Sequence, residues 1–440
     1  MPSDAPPWHR RILWLLGGLF LVRLLYALVW PLELPPDVAY YWEWGRRLDW
    51  GYFSKPPMIG WLMGLVGRLT GDSELALRIV PLLLGLGALG FLAALAHAAF
   101  GARAAFWTVA ALALTPAHAV LCLVFTIDPP LFFAWSAALF FLHRWSTGRG
   151  AWWPLMLAVG LGALTKQMML VFLPLAAGFL ATDRELRGHL RRPGFWLMAG
   201  GALLFLLPPV LWNVRHDWIT ARHTAAEIEA PARSLGEVAG HVGSFVGAQA
   251  GLATPILWVL LVLVLAGAVP AWRGLPRAAR MLWWFSAPGL GVFAALSLRQ
   301  EVNPNWPLVF YAAWFALLAA WGAGGEHARQ NLMKLMALAA RPDAAVVPRG
   351  RGLGRAAGLD RPRPAVCAAP NPLGGNEEGS HARTARLAAA GGRRGPGAGG
   401  ITPAGADRGD RGGLAADDRP TGLLRAGPAA DLPLGGSTQH

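Results

Sequence analysis

Residues 37–61 read DVAYYWEWGRRLDWGYFSKPPMIGW, and they follow an apolar run from Ile12 to Trp30. That run is long enough to cross about 30 Å of hydrocarbon at about 1.5 Å of helical rise per residue. Behind it stand acids, one lysine and eight aromatic side chains. Tyrosine and tryptophan favour the zone where hydrocarbon meets headgroups, and charged groups favour the water just beyond it. The stretch therefore reads as a loop seated on a membrane surface, and the run before it as a retained first span. A removable leader would carry a small-residue cleavage site, which is missing here.

Outward from this loop the same grammar recurs. The chain has 440 residues, 55% of them hydrophobic and only 15% charged, more apolar surface than a soluble fold of that size has room to bury. About ten candidate spans follow one another: Ile12 to Trp30, Ile79 to Phe100, Ala104 to Val124, Leu131 to Leu142, Trp152 to Leu164, Met169 to Ala181, Phe195 to Leu211, Ala253 to Ala271, Met281 to Leu298 and Pro307 to Trp321. The runs are continuous, which selects helices over the alternating strands of a barrel. Met58 to Leu69 is apolar but stops before Gly71, as an interfacial helix would. The expected fold is all-α, a polytopic membrane bundle with an outer first loop and interfacial helices.

The arginines set its orientation. Starting inside with Arg10 and Arg11, one side collects Arg103, Arg144, Arg149, the cluster at 184–192, Arg273, Arg277, Arg280, Arg329 and Lys334. Short basic loops mark the cytoplasmic face. The other side receives Asp37 to Arg78, the turn at Asp128, the turn at Lys166, the segment from Trp212 to Leu252, read as a long loop, and Arg299 to Trp306. Asp37, Lys55, Asp128, Lys166, His216 and Glu301 thus gather on one face, although none of them was used to choose it. This implies an outward-facing binding or catalytic surface. The net charge of +14 follows from topology and the tail, and no basic module interleaved with aromatics suggests a nucleic-acid partner.

After residue 340 the text changes. Residues 341–440 are rich in Gly, Ala, Pro and Arg and contain no Phe, Trp, Tyr or Met. Such a composition cannot build a core; it fits either a disordered cytoplasmic tail or an out-of-frame reading of a GC-rich gene. The domain expectation is a membrane unit over 1–340 and this tail over 341–440.

Each candidate residue has a bland reading beside the functional one. Asp37 follows Pro35-Pro36, which would end the first helix and lead into an extended exit; it is a site acid or a solvated interfacial one. Lys55 precedes Pro56-Pro57 and either aims at a phosphate or snorkels to headgroups. Asp128 precedes Pro129-Pro130 and either faces a partner or caps the helix ahead of Leu131. Lys166 sits between two apolar runs, where turn chemistry alone could place it. His216 and His223 lie near carboxylates, with no spacing that matches a zinc motif. Cys122 lies in an apolar run and Cys367 in the tail, so neither a disulfide framework nor a paired-cysteine metal motif is present. A phosphate-cradling Gly-rich loop and a Gly-x-Ser-x-Gly elbow are missing, which argues against an ATP-driven pump and a serine hydrolase.

DVAYYWEW, GYFSKPPMIGW, TIDPPLFFAW, ALTKQMM, LPPVLWNVRHDWITARHT, FVGAQAGLATPILW and VNPNWP, in this order, resemble the GT-C class of membrane glycosyltransferases. Within that class they resemble the PMT-like superfamily of protein O-mannosyltransferases and lipid A aminoarabinose and galacturonic acid transferases. The likeness runs from Ile12 to Trp321. It implies transfer of a sugar from a polyprenyl-phosphate carrier to a lipid acceptor such as lipid A, or to a protein, at the outer face of the inner membrane, with inversion at the anomeric carbon. Asp37 matches the catalytic acid of the family and Asp128 a second carboxylate. Lys55 matches the lysine on the donor phosphate and Lys166 a further motif lysine. Tyr41, Tyr52, His216, His223 and Asn305 complete the expected substrate contacts. The resemblance makes no cofactor certain and leaves a divalent cation open. The family usually carries Glu directly after the acid, where this chain has Val38. A transporter or flippase would show internal repeats and polar groups at the midplane, yet Arg23 is the only strongly charged residue well inside the spans. A non-catalytic scaffold is the reading that Val38 keeps open.

Overall fold

The computed structural model describes residues 7–29, 33–71, 73–227 and 234–323, all within one compact unit. The tail over 341–440 lies outside the described residues, as do Arg329 and Lys334. Among the described residues every regular element is a helix. Those long enough to number run α1 (Trp8–Val29), α2 (Pro36–Arg46), α3 (Met58–Thr70), α4 (Glu74–Phe100), α5 (Ala102–Ala113), α6 (Pro116–Leu123), α7 (Asp128–Ser146), α8 (Trp153–Ala163) and α9 (Phe172–Thr182). The second half comprises α10 (Arg187–Arg191), α11 (Pro193–Leu204), α12 (Leu207–Arg215), α13 (Ile219–Ala226), α14 (Leu235–Ala253), α15 (Pro255–Ala268), α16 (Arg277–Trp284), α17 (Ala287–Leu296) and α18 (Leu308–Ala323).

Three helical segments, Trp8–Val29, Glu74–Phe100 and Pro193–Arg215, are long and apolar enough to cross a membrane, and the number rises to five when bent pairs count as single spans. The expected count of about ten is not reached on that measure. Proline divides what hydropathy joins: α5 and α6 meet at 74° where Pro116 begins the second helix, and α14 and α15 meet at 105° before Pro255. A ring without an N–H cannot continue the preceding ladder, so the run breaks while its hydrophobicity persists. The segment from Trp212 to Leu252, read as a loop, carries the end of α12, then α13 and most of α14. Ser234 caps α14 by accepting from the backbone N–H of Glu237 at 3.1 Å, a helix start that the modest hydropathy of the segment concealed.

α18 runs through the centre of the bundle. Eleven of its side chains are buried, and Phe310 and Phe315 lie in the same core as Trp135, Phe172 and Phe285. A smaller core lies under the first loop, where Val38, Tyr41 and Trp44 of α2 meet Ile59 and Met63 of α3 and Phe125 and Ile127 ahead of α7. There α2 and α3 cross at two glycines: a Cβ on Gly45 would stand 2.6 Å from the Gly64 nitrogen. Only hydrogen at both positions lets the backbones approach so closely.

Arg23 is buried in α1. Its guanidinium donates to the Ala113 carbonyl at 2.8 Å and to Cys122 Sγ at 2.9 Å, and bonds His118 Nδ1 at 2.9 Å. The carbonyl belongs to the last turn of α5, which has no further helical partner at the bend. The charge thus pins α1 across the break between α5 and α6. Arg23→Leu should cost about 1–3 kcal/mol through the acceptors left unpaired, read as a lower thermal midpoint of the purified protein in detergent. Arg23→Lys should fall between, and a variant as stable as the parent would remove this role.

Candidate active site

Pro35 is extended, at φ −55° and ψ 149°, but only for one residue, because Pro36 opens α2. A proline at the first helical position forfeits no hydrogen bond and presets φ. Asp37 therefore sits in the first turn of a helix, not in an extended exit. Its side chain is exposed, and among the described residues no hydrogen bond or ion pair engages the carboxylate. Val38 turns the other way and is 1% exposed in the small core. One turn after Asp37 comes the buried Tyr41, whose phenol is held above its ordinary pKa by burial, then by the charges of Asp37, Asp128, Tyr40 and Glu227. Three carboxylates from three distant segments thus act on one hydroxyl, which stays protonated and can donate but not serve as base.

Asp128 lies inside the first turn of α7, and its carboxylate caps nothing there. Lys166 Nζ donates to Oδ1 at 3.1 Å and Asn305 Nδ2 to Oδ2 at 2.8 Å. Both side chains of the ion pair are mostly buried, 12% exposed for Lys166 and 14% for Asp128. Helix capping for Asp128 and turn chemistry for Lys166 are therefore set aside in favour of a contact between them.

Lys55 has a carboxylate of its own. Its ammonium lies 3.2 Å from Glu227 Oε1, with the lysine side chain 16% exposed. His223 Nε2 stands 3.7 Å from the same oxygen and its ring packs on Phe53 at 4.7 Å. Glu227 is not singled out in the sequence, where TAAEIEAP offers no motif and lies in a segment read as a loop. Asp37 and Lys55 form no ion pair among the described residues; the charges of Asp37 and of Glu227, the partner of Lys55, both raise the pKa of Tyr41.

The short segment after α17 joins the two lysine pairs. Gln300 Nε2 donates to the Glu227 carbonyl at 3.2 Å, and five residues on Asn305 reaches Asp128. Five outer segments expected on the same face thus meet in one place. On the face assigned to the cytoplasm, Arg277 and Arg280 converge on Asp183, each at 3.2 Å. Segments assigned to the same side are the segments in contact.

Two grooves adjoin the site. One, of about 420 Å³, has Lys55 and Gln167 among walls supplied by Leu206, Pro209, Val210 and Trp218. It is apolar with a cation set into its wall. The other, of about 720 Å³, is lined by Tyr52 and His216, with Glu43, Arg47 and Arg215. The Tyr52 hydroxyl is engaged with its own loop, at 3.1 Å from the Trp44 carbonyl and the Asp49 N–H, and its ring stacks on Trp44 at 4.5 Å. Burial raises the pKa of that phenol as well. His216 stacks on Trp212 at 3.9 Å and bonds the Trp212 carbonyl through Nδ1 at 2.7 Å. The structure thus gathers Asp37, Tyr41, Lys55, Asp128, Lys166, His223 and Asn305, while Tyr52 and His216 face the second groove. Thr220 ties the two regions together by donating to the Tyr52 carbonyl at 2.6 Å. Among the described residues no three His, Cys, Asp or Glu side chains are grouped to hold a metal.

Comparison with solved structures gives ArnT from Cupriavidus metallidurans in the apo state at a TM-score of 0.51 and 24% identity, covering 74% of this chain and 62% of that one. ArnT bound to undecaprenyl phosphate gives 0.52 and 23%, covering 74% and 63%. The fold is that of the GT-C glycosyltransferases. Residues 54–212 also match the family described as dolichyl-phosphate-mannose-protein mannosyltransferase. The lipid A galacturonosyltransferase RgtD of Rhizobium johnstonii is 29% identical over 288 residues, 65% of this chain and 59% of that protein. The chain thus spans less than two thirds of the length of these three relatives.

Proposed function

We propose that the chain transfers a sugar from a polyprenyl-phosphate donor to a lipid acceptor of the lipid A kind, at the outer face of the inner membrane. The observation that carries this reading is the apolar groove with Lys55 in its wall, beside a cluster where Asp37, Asp128 and Glu227 converge on Tyr41. A prenyl chain suits such walls, and an ammonium suits the phosphate at its end. The acceptor hydroxyl attacks the anomeric carbon while its proton passes to the Asp37 carboxylate. The bond from that carbon to the phosphate oxygen breaks with its electron pair leaving on the phosphate, where Lys55 offsets the growing charge. Asp128, held by Lys166 and Asn305, orients the acceptor, and Tyr41 serves as a neutral donor.

The likeness to RgtD and to ArnT bound to undecaprenyl phosphate supports the donor and acceptor classes. The test uses the full chain in lipid nanodiscs with polyprenyl-phosphate-linked uronic acid or aminopentose and purified lipid A. Mass spectrometry should find lipid A heavier by one sugar residue. No addition to lipid A from either donor, with addition to a peptide instead, would move the acceptor class to protein; no transfer at all would refute the reading.

A further inference from the structure

Asn305 is exposed, and its one recorded bond to the site is the 2.8 Å contact with Asp128. A solvated carboxamide on a turn between α17 and α18 has no reason of its own to hold that pose. The residue before it is anchored. Gln249, on α14, donates from Nε2 to the Pro304 carbonyl at 3.1 Å. Gln249 is 1% exposed, so its amide must be satisfied inside the protein, and a carboxamide can in principle be satisfied either way round.

The Pro304 carbonyl decides which way. It can only accept, so the Gln249 NH2 must face it and Oε1 must point away. The Tyr311 hydroxyl, equally buried on α18, donates to that oxygen at 2.6 Å. Reversing the amide would set Oε1 against the Pro304 carbonyl, two acceptors in contact. Pro304 in turn brings a fixed φ to the turn that presents Asn305. The chain of contacts runs Tyr311, Gln249, Pro304, Asn305, Asp128, from the bundle core to the site.

We propose that Gln249 is a positioning residue that sets Asn305 on the Asp128 carboxylate, with Tyr311 holding its amide oxygen. This rests on the reading of Asp128 as part of the transfer site. The relay explains why an outer turn can present a polar contact as steadily as a helix does. It also explains a hydrogen-bonded glutamine and tyrosine in the core of an apolar bundle, where leucine and phenylalanine would be cheaper to bury.

The experiment measures sugar transfer by the full chain for Gln249→Met, Tyr311→Phe, Asn305→Ala and the Gln249→Met/Asn305→Ala double variant. Gln249→Met should lower kcat about tenfold to a hundredfold, the scale of a misplaced group of about 1 Å, with donor KM within about twofold. The double variant should be no slower than Asn305→Ala alone, since both remove one contact. Effects that multiply, or a loss in Gln249→Met that lies in donor KM and leaves kcat unchanged, would overturn the proposal. Tyr311→Phe, which keeps shape and packing, should show the same loss in kcat at smaller size and covers the case in which Gln249→Met does not fold. A cryo-EM structure of either variant gives a readout independent of activity: Asn305 should leave Asp128, and its retention at hydrogen-bond distance would defeat the relay. Full activity of Asp128→Asn would defeat the underlying reading of the site and leave that structural outcome to decide the relay.

Discussion

Asp37→Asn should lower sugar transfer by about a hundredfold to ten-thousandfold, the range for loss of a general base, with the protein reaching the membrane in normal amount. The second half of that expectation comes from the surroundings. Asp37 is exposed in the first turn of α2, and no partner among the described residues depends on it. Removing its charge costs only its interaction with the helix N-terminus, about 0.3–1 kcal/mol. Asparagine keeps the shape but cannot accept the proton of an attacking hydroxyl. Tyr41 offers no rescue, because burial and the nearby carboxylates hold its phenol above the ordinary range and so in the neutral form. Transfer rates measured in nanodiscs with a fixed amount of folded protein check the point. A rate within about threefold of the parent would remove Asp37 from the chemistry.

Lys55→Ala should cost about a hundredfold to a thousandfold in kcat/KM, the size found when one charge-stabilising group is removed from a reacting centre. The ammonium is 16% exposed and set in the wall of an apolar groove, where water screens its field less than at an open surface. A phosphate leaving there gains more from the cation than a bound, uncleaved donor does, so kcat should fall along with affinity. Lys55→Arg keeps the charge but spreads it over a planar fork, and should recover part of the rate. The structure adds a control. Glu227 is the carboxylate that meets Lys55, so Glu227→Gln combined with Lys55→Ala separates the loss of a cation from the stranding of an acid. If the double variant regains the parent rate, the lysine serves only to neutralise Glu227, and its assignment to the donor phosphate fails.

Much of this site is legible in the sequence, and the parts that are not share a cause. Asp128 and Lys166 stand out as charged residues at the ends of apolar runs, but the sequence leaves capping and turn chemistry equally open. Their 3.1 Å contact closes the question. Glu227 stays hidden because an acid at the end of a short helix is ordinary, and only the approach of α13 to the first loop gives it a lysine. Tyr52 reads as a substrate contact from its place in GYFSKPP, yet the loop it sits in needs its hydroxyl to tie down Trp44 and Asp49. Val38 stands where the family expects an acid, and here its side chain fills the small core beneath the loop. The span count of about ten is not confirmed for a different reason: several apolar runs form helices of 10–17 residues, and Pro116 turns the backbone inside the run from Ala104 to Val124 without making it less apolar.

Composition and the order of charges were enough, on their own, for a helical membrane bundle whose unusual polar residues share one face. Alternation of basic and apolar segments is a property along one dimension, set by the cost of moving charge through hydrocarbon, and it can be read without coordinates. The pairing of lysines with acids, the joining of both pairs by the turn at residues 300–305 and the burial of Val38 belong to the tertiary structure. Each depends on distances between loops far apart in the chain, and those distances are fixed by how helices pack around α18, which no local pattern of residues records.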